Sequence, residues 1–250
     1  MHSPEYVAIV AGVTFVLAGF VKGTIGMGLP TVAMALLAQA MPPAHAAGLL
    51  LVPSLATNVW QAVAGGSFGA LARRLRPALI GIGLGTGAGA AFLPRDEGLA
   101  SLTLGIVLVA YAALSLARVD VAVPRVWESR LSAAIGAVTG LITAETGVFV
   151  VPAVPYLAAL GLARDELMQA LGLCFTAATL ALGASLFCEG ELHPAEALGS
   201  SLALLPTFLG MLLGQGLRSR IAPRMFRLCF FLGLLLLGLH QVARALSSLF

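Results

Sequence analysis

The amino-acid sequence predicts an all-α polytopic membrane protein made of two inverted repeats. Each repeat is a broken, re-entrant helical hairpin followed by three transmembrane helices. Composition, a pair of interrupted apolar segments and the placement of arginine carry that prediction. Of 250 residues, 59% are hydrophobic and only 10% charged, with a mean hydropathy of +0.99. A soluble domain of this size carries far more charge. The net charge of +3 comes from arginines at segment ends, which bears on orientation in a bilayer and not on nucleic-acid binding. Cys174, Cys188 and Cys229 are too few and too scattered for a disulfide framework or a thiolate metal site. No cofactor is expected. The opening MHSPEYVAIV has no basic n-region and no clear cleavage site, so no removable signal peptide is expected.

In chain order, apolar segments fall at roughly 5–22, 30–40, 44–66, 76–94, 98–117, 131–144, 147–160, 164–188, 195–217 and 225–247. At about 1.5 Å per residue most can cross a core of about 30 Å. Segments 30–40, 131–144 and 147–160 cannot, and they flank Gly/Pro breaks. Short, interrupted segments at matching places in two halves point to a transporter's binding site.

The first break is Gly19–Pro30, read GFVKGTIGMGLP, with four glycines, a proline and the only lysine of the chain. Gly raises backbone entropy and Pro removes a donor, so the helix should fail there. Freed backbone at membrane depth persists only where protein or a water-filled cavity covers it. A charge at that depth costs a few kcal/mol and marks a functional site. The second break repeats the first. Gly19-Phe-Val-Lys22-Gly-Thr-Ile-Gly26 aligns with Gly140-Leu-Ile-Thr143-Ala-Glu145-Thr146-Gly147 at an offset of 121. Pro30 then pairs with Pro152, and Ser54 and Thr57 with Thr176 and Thr179, at an offset of 122. This is an internal duplication, with residues 1–117 and 131–250 as the repeats and 118–130 as a cytoplasmic connection.

Arginine decides how the repeats sit. If both broken segments cross the membrane, the arginines divide seven against six, which is no bias. If both return to the side they entered, Arg73, Arg74, Arg76, Arg118, Arg125, Arg130, Arg164, Arg218, Arg220, Arg224 and Arg227 share one face, against Arg95 and Arg244. Eleven against two follows the positive-inside rule. Only the second hairpin is fixed this way, because the ends of the first carry no Lys or Arg; the repeat carries the argument over. Both termini are then outside, and Glu189, Glu191 and Glu196 lie in an outer loop.

The break GFVKGTIGMGLP, its second copy GLITAETGVFVVP and the Ser/Thr-bearing helix after each resemble the TauE/SafE sulfite-exporter family, over nearly the whole chain. The resemblance implies a multi-pass inner-membrane transporter of sulfur-containing anions such as sulfite or organosulfonates. The chain departs from the family's glycine cluster with Leu29-Pro30 in the first copy and Val148-Phe149 in the second.

An anion also suits the residues themselves. Half-helices that break near the midplane offer unpaired N–H groups and positive dipole ends. Lys22 supplies a full charge. Gly23, Thr24, Gly26 and Gly28 on one hairpin, and Thr143, Thr146 and Gly147 on the other, are expected to hold a small oxyanion between the tips. Asn58 and Gln61, one turn apart after the first break, and Gln169 and Thr176 in the second half line the cavity or bond between helices. Glu145, aligned with Thr24, is expected to exchange a proton as the anion competes with it for Lys22, making protons the coupling ion; the plainer alternative is a helix cap or an ion pair. A metal-cation transporter with Glu145 as ligand is the rival reading, though one acid is a thin site. No His-Glu-x-x-His run, paired intramembrane aspartates or Gly-x-Ser-x-Gly elbow suggests an enzyme.

Overall fold

The structure, a computed structural model, describes residues 4–93, 96–117, 122–192, 194–217 and 222–247. Arg95, Arg118, Arg218 and Arg220 lie outside the described residues. Those described form helices and connections without a strand. In order the helices are α1 (Pro4–Ile25), α2 (Leu29–Leu37), α3 (Pro43–Val63), α4 (Phe68–Arg74), α5 (Arg76–Phe92) and α6 (Glu97–Ala117). Then come α7 (Arg125–Thr146), α8 (Ala153–Ala159), α9 (Arg164–Cys188), α10 (Pro194–Leu202), α11 (Leu204–Leu217) and α12 (Pro223–Ser247). Among the described residues six helices are long and apolar enough to cross a membrane: Ala8–Ile25 of α1, α3, α6, α9, the stretch Ala197–Leu217 and α12. The pair α4 and α5, bent by 63° at Leu75, is a seventh if taken as one span. Leu84, Ile106, Leu180, Leu205, Leu212 and Leu236, all more than half exposed, belong to these helices. So much apolar surface on a monomer suits lipid and not water.

The chain packs as two compact units, and neither is a contiguous half. One holds Met1–Pro53, Arg95–Arg118 and His193–Phe250; the other holds Ser54–Pro94 and Val119–Leu192. The chain passes between them inside α3, at Pro53.

In the first unit α1 packs on α11, backbone against backbone. A Cβ added at Gly19 or Gly23 would strike the carbonyl of Thr207 or Met211, and one at Gly210 or Gly214 that of Val16 or Phe20. The contacts climb both helices in the same order, so the pair is parallel. Small residues four apart allow this approach, which is the main source of attraction between helices in lipid. The crossing of α6 and α12 runs the other way. The Gly105 Cα faces Gly238 and Val242, while Gly238 faces Gly105, Leu108 and Val109, so this pair is antiparallel. Gln39, after α2, donates to Gln241 Oε1 (2.9 Å), meets His240 Nδ1 (2.9 Å) and accepts from Arg244 at its carbonyl (2.9 Å). That accounts for His240-Gln241 as an interhelical contact.

The second unit repeats the glycine device. Gly81 and Gly85 of α5 lie on the carbonyls of Ala133 and Ala137, and Gly136 and Gly140 of α7 on those of Ala78 and Ile82. This pair is also parallel. At the end where α7 starts, Arg74 Nε and Nη2 donate to Glu128 Oε1 (2.6 Å) and Oε2 (2.9 Å). The fork–carboxylate geometry is bidentate, and the hydrogen-bonded guanidinium holds the Glu128 carboxyl below the usual carboxylate range. Tyr156 of α8 donates to the Glu128 carbonyl (3.0 Å) and shares a hydrogen bond with Ser132 (2.6 Å). Val123 N donates to Ala159 O (3.1 Å). The chain that leaves along α7 therefore returns through α8 to where α7 began.

Both breaks are shorter than the sequence predicts. The helix does not fail at Gly19 but runs to Ile25, and the first break is Gly26–Gly28. The apolar stretch 131–144 is likewise only part of α7, a helix of 22 residues. Glycine next to a facing helix packs instead of breaking. Gly19, Gly23 and Gly140 do this, and among the glycines of the two break motifs Gly26, Gly28 and Gly147 are the ones with positive φ.

Candidate functional site

At the first break α1 ends with Lys22-Gly-Thr-Ile25, and Gly26 N closes the last turn on Lys22 O (2.8 Å). Gly26 (φ 80°) and Gly28 (φ 99°) are left-handed, a region glycine enters without a Cβ penalty. That reverses the chain within three residues. Lys22 is only 5% exposed, inside a helix that can span a membrane. Such an ammonium needs a functional or pairing reason. Gly23 is taken up by packing on Met211, and the Thr24 hydroxyl donates to Phe20 O (2.8 Å), with Gly214 O at 3.5 Å. Of the four donors expected after Lys22, then, Gly26 and Gly28 belong to the break itself, while Gly23 and Thr24 serve the α1–α11 crossing. Met27, the residue between the two left-handed glycines, receives a hydrogen bond at sulfur from the buried Tyr111 hydroxyl (3.6 Å). Tyr111 in turn stacks edge-on against Phe231 at 5.3 Å. This ties the break to α6 and α12.

The second break ends α7 at Thr146, with Gly147 (φ 66°) as a left-handed C-cap whose N–H closes on Thr143 O. Thr143 donates to Thr139 O (2.7 Å), and Thr146 donates to Ile142 O (2.7 Å) while accepting from Val148 N (3.2 Å). Their protons are committed to backbone, so as donors to a ligand they would first have to turn away. Glu145 sits half-buried in the last turn of α7.

The polar residues of the helices after the breaks are mostly connectors. Gln61 donates to Met168 O (2.8 Å). Gln169, 2% exposed, donates to Ala62 O (2.7 Å) and Gly65 O (2.9 Å) and accepts from Ser67 N (3.1 Å). It thereby satisfies the carbonyls that the end of α3 leaves open. Both glutamines thus bond to backbone across α3 and α9. Thr176 bonds back to Gly172 O (2.7 Å), and Asn58 is fully buried. Two further buried polar residues stand by the first break, Thr31 and Tyr111. Thr31 follows Pro30 at the start of α2, and that Pro-Thr step just past a glycine break is the signal that could have marked it.

The alignment of the breaks has a geometric counterpart. Gly26 and Gly147 are both left-handed and stand 147 − 26 = 121 residues apart, the offset at which the two motifs align. Sequence comparison adds the family: the profile of "Sulfite exporter TauE/SafE" matches residues 11–240, from within α1 to within α12. No curated protein and no solved structure matches the chain. Matched over nearly its whole length, and built of apolar spans around two glycine breaks, the chain belongs to the sulfite exporter TauE/SafE family of membrane transporters.

Proposed function

We propose that the protein is a secondary transporter that moves a small sulfur-containing anion, sulfite or an organosulfonate, across the cytoplasmic membrane, with Lys22 neutralising the bound anion. The observation that carries this reading is Lys22 itself, a buried cation one turn before a left-handed break in a helix able to span the bilayer. Desolvating that ammonium is costly, and a bound anion offsets the cost. Uptake of labelled sulfite into proteoliposomes, set against labelled cobalt or nickel, tests it. Sulfite uptake without metal uptake is expected; the reverse would move the reading to a cation transporter acting through Glu145.

The proposal includes inverted repeats with re-entrant hairpins. Three features support it: the matched left-handed glycines, the return of α8 to the start of α7, and the antiparallel crossing of α6 and α12. If α7–α8 returns to its own side, only α9 and the α10–α11 stretch cross between α6 and α12, which makes those two antiparallel. A hairpin that crossed would make them parallel. Single cysteines at Arg125 and Arg164, in a background lacking Cys174, Cys188 and Cys229, bracket the hairpin. Both should label with an impermeant maleimide from the same side of the membrane. Labelling from opposite sides would show a full crossing.

Glu145 is the proposed proton carrier. Carboxylates at membrane depth often relay protons. Wild-type protein in liposomes with an imposed pH gradient should accumulate anion. Glu145→Gln should give only passive, pH-independent exchange. Gradient-driven accumulation by the variant would assign Glu145 a structural role.

A further inference from the structure

We propose that the oxyanion is gripped by the N-terminus of α2, with the Thr31 hydroxyl donating to it, so that Thr31 is a specificity-determining residue of the anion site. This rests on the reading of the chain as an anion transporter and adds donors that reading did not name.

The start of α2 is buried and carries uncapped donors. Gly28 stands at the N-cap with φ 99° and no side-chain cap, where a soluble helix would carry Ser, Asp or Asn. Within the helix the first bond is Val32 N to Gly28 O (2.9 Å). The earlier N–H groups have no intrahelical acceptor. Pro30 has no N–H to offer, which leaves the amides of Leu29 and Thr31. Aligned peptide dipoles add positive potential at this end.

Thr31 supplies the second, independent observation. It is 0% exposed, and its Oγ1 has no hydrogen-bond partner among the described residues. Thr143, Thr179 and Thr207, also buried in helices, return the proton to the carbonyl four residues back, on Thr139, Phe175 and Ala203. Thr86 and Thr139 share with Thr31 a hydroxyl without a partner among the described residues, but both lie within long helices and not at a helix start. Thr31 stands in the first turn, and four residues before it is Met27, in the break. Its Cβ tilts toward the N-terminus of its own helix, the end at which the two amides stand. An orphaned buried hydroxyl costs stability, and an arriving anion relieves that cost. Two amides and a hydroxyl within one helix turn suit a ligand with several acceptor oxygens on one atom, which sulfite and the sulfonate head group share.

The test uses purified full-length protein with sodium sulfite and sodium methanesulfonate as probes, read by thermal shift and by titration. Thr31→Val keeps the shape and removes the hydroxyl. Without anion its Tm should equal or exceed wild type, because the orphan is gone. Its Kd for both probes should rise by about tenfold or more, the loss of one hydrogen bond to a charged ligand. Thr31→Ser should keep wild-type affinity. Unchanged affinity in Thr31→Val overturns the inference and leaves the transporter reading standing. Equal losses in Thr31→Val and Thr31→Ser also overturn it, since packing and not the hydroxyl would then matter. If Thr31→Val does not fold, Thr31→Ala carries the same comparison. Wild-type protein that binds neither probe overturns the transporter reading along with the inference.

Discussion

Lys22→Ala is expected to raise the Kd for sulfite by about tenfold or more and to abolish concentrative transport, while the protein still folds. The magnitude follows from the loss of a charge-assisted contact, worth about 1.5–3 kcal/mol, at about 1.4 kcal/mol per decade of affinity. The Tm of the variant, read beside its Kd, separates a folding defect from a binding defect. Lys22→Arg should also bind poorly. A planar guanidinium cannot replace a compact ammonium beside Gly23, where α1 lies backbone-to-backbone on α11. Titration of detergent-purified variants separates binding from transport. Wild-type affinity in Lys22→Ala would show that the lysine serves packing or reaches the interface instead.

Gly85→Ala is expected to destabilise the protein by about 1–3 kcal/mol, the usual cost of overpacking, and Gly85→Leu to prevent folding. The added Cβ would land on the Ala137 carbonyl of α7, and backbone cannot step aside as a side chain can. Gly83 and Gly87 on the same helix have nothing within 4 Å of an added Cβ. Their alanine variants are matched controls and should keep or slightly raise the wild-type Tm. The contrast matters because all three are glycines of one run, GIGLGTG, that hydropathy alone cannot tell apart. Equal behaviour of Gly83, Gly85 and Gly87 variants would mean that α5 and α7 do not meet through this face.

These two experiments probe different kinds of legibility. The class was readable from composition, because only lipid tolerates 59% hydrophobic residues with so few charges. Most helix positions were readable too, because segment length and Gly/Pro punctuation are local properties. The pairing of the breaks was also visible, at the offset that Gly26 and Gly147 now share in geometry. The glycines of GFVKGTIGMGLP show where local reading stops. All four looked like helix breakers, yet Gly19 and Gly23 pack in α1 while Gly26 and Gly28 turn the chain. A missing Cβ permits both outcomes, and the neighbour decides between them. The spacing of Gly81, Gly85 and Gly89, four apart, was a readable sign of a close crossing, but it names no partner.

The sequence by itself determined that this is a multi-pass membrane protein of apolar helices with two matched breaks and one intramembrane lysine. Those facts follow from residue type and order, which set solvent preference and backbone freedom. Only the tertiary structure decided that α1 pairs with α11 and α5 with α7, so that the compact units cut across the sequence halves. It alone gave Gln61, Gln169, Thr143 and Thr146 their backbone partners and left Thr31 without one among the described residues. The reason is physical. A hydrogen bond or a glycine contact is a property of two surfaces, and the sequence of one helix specifies only its own.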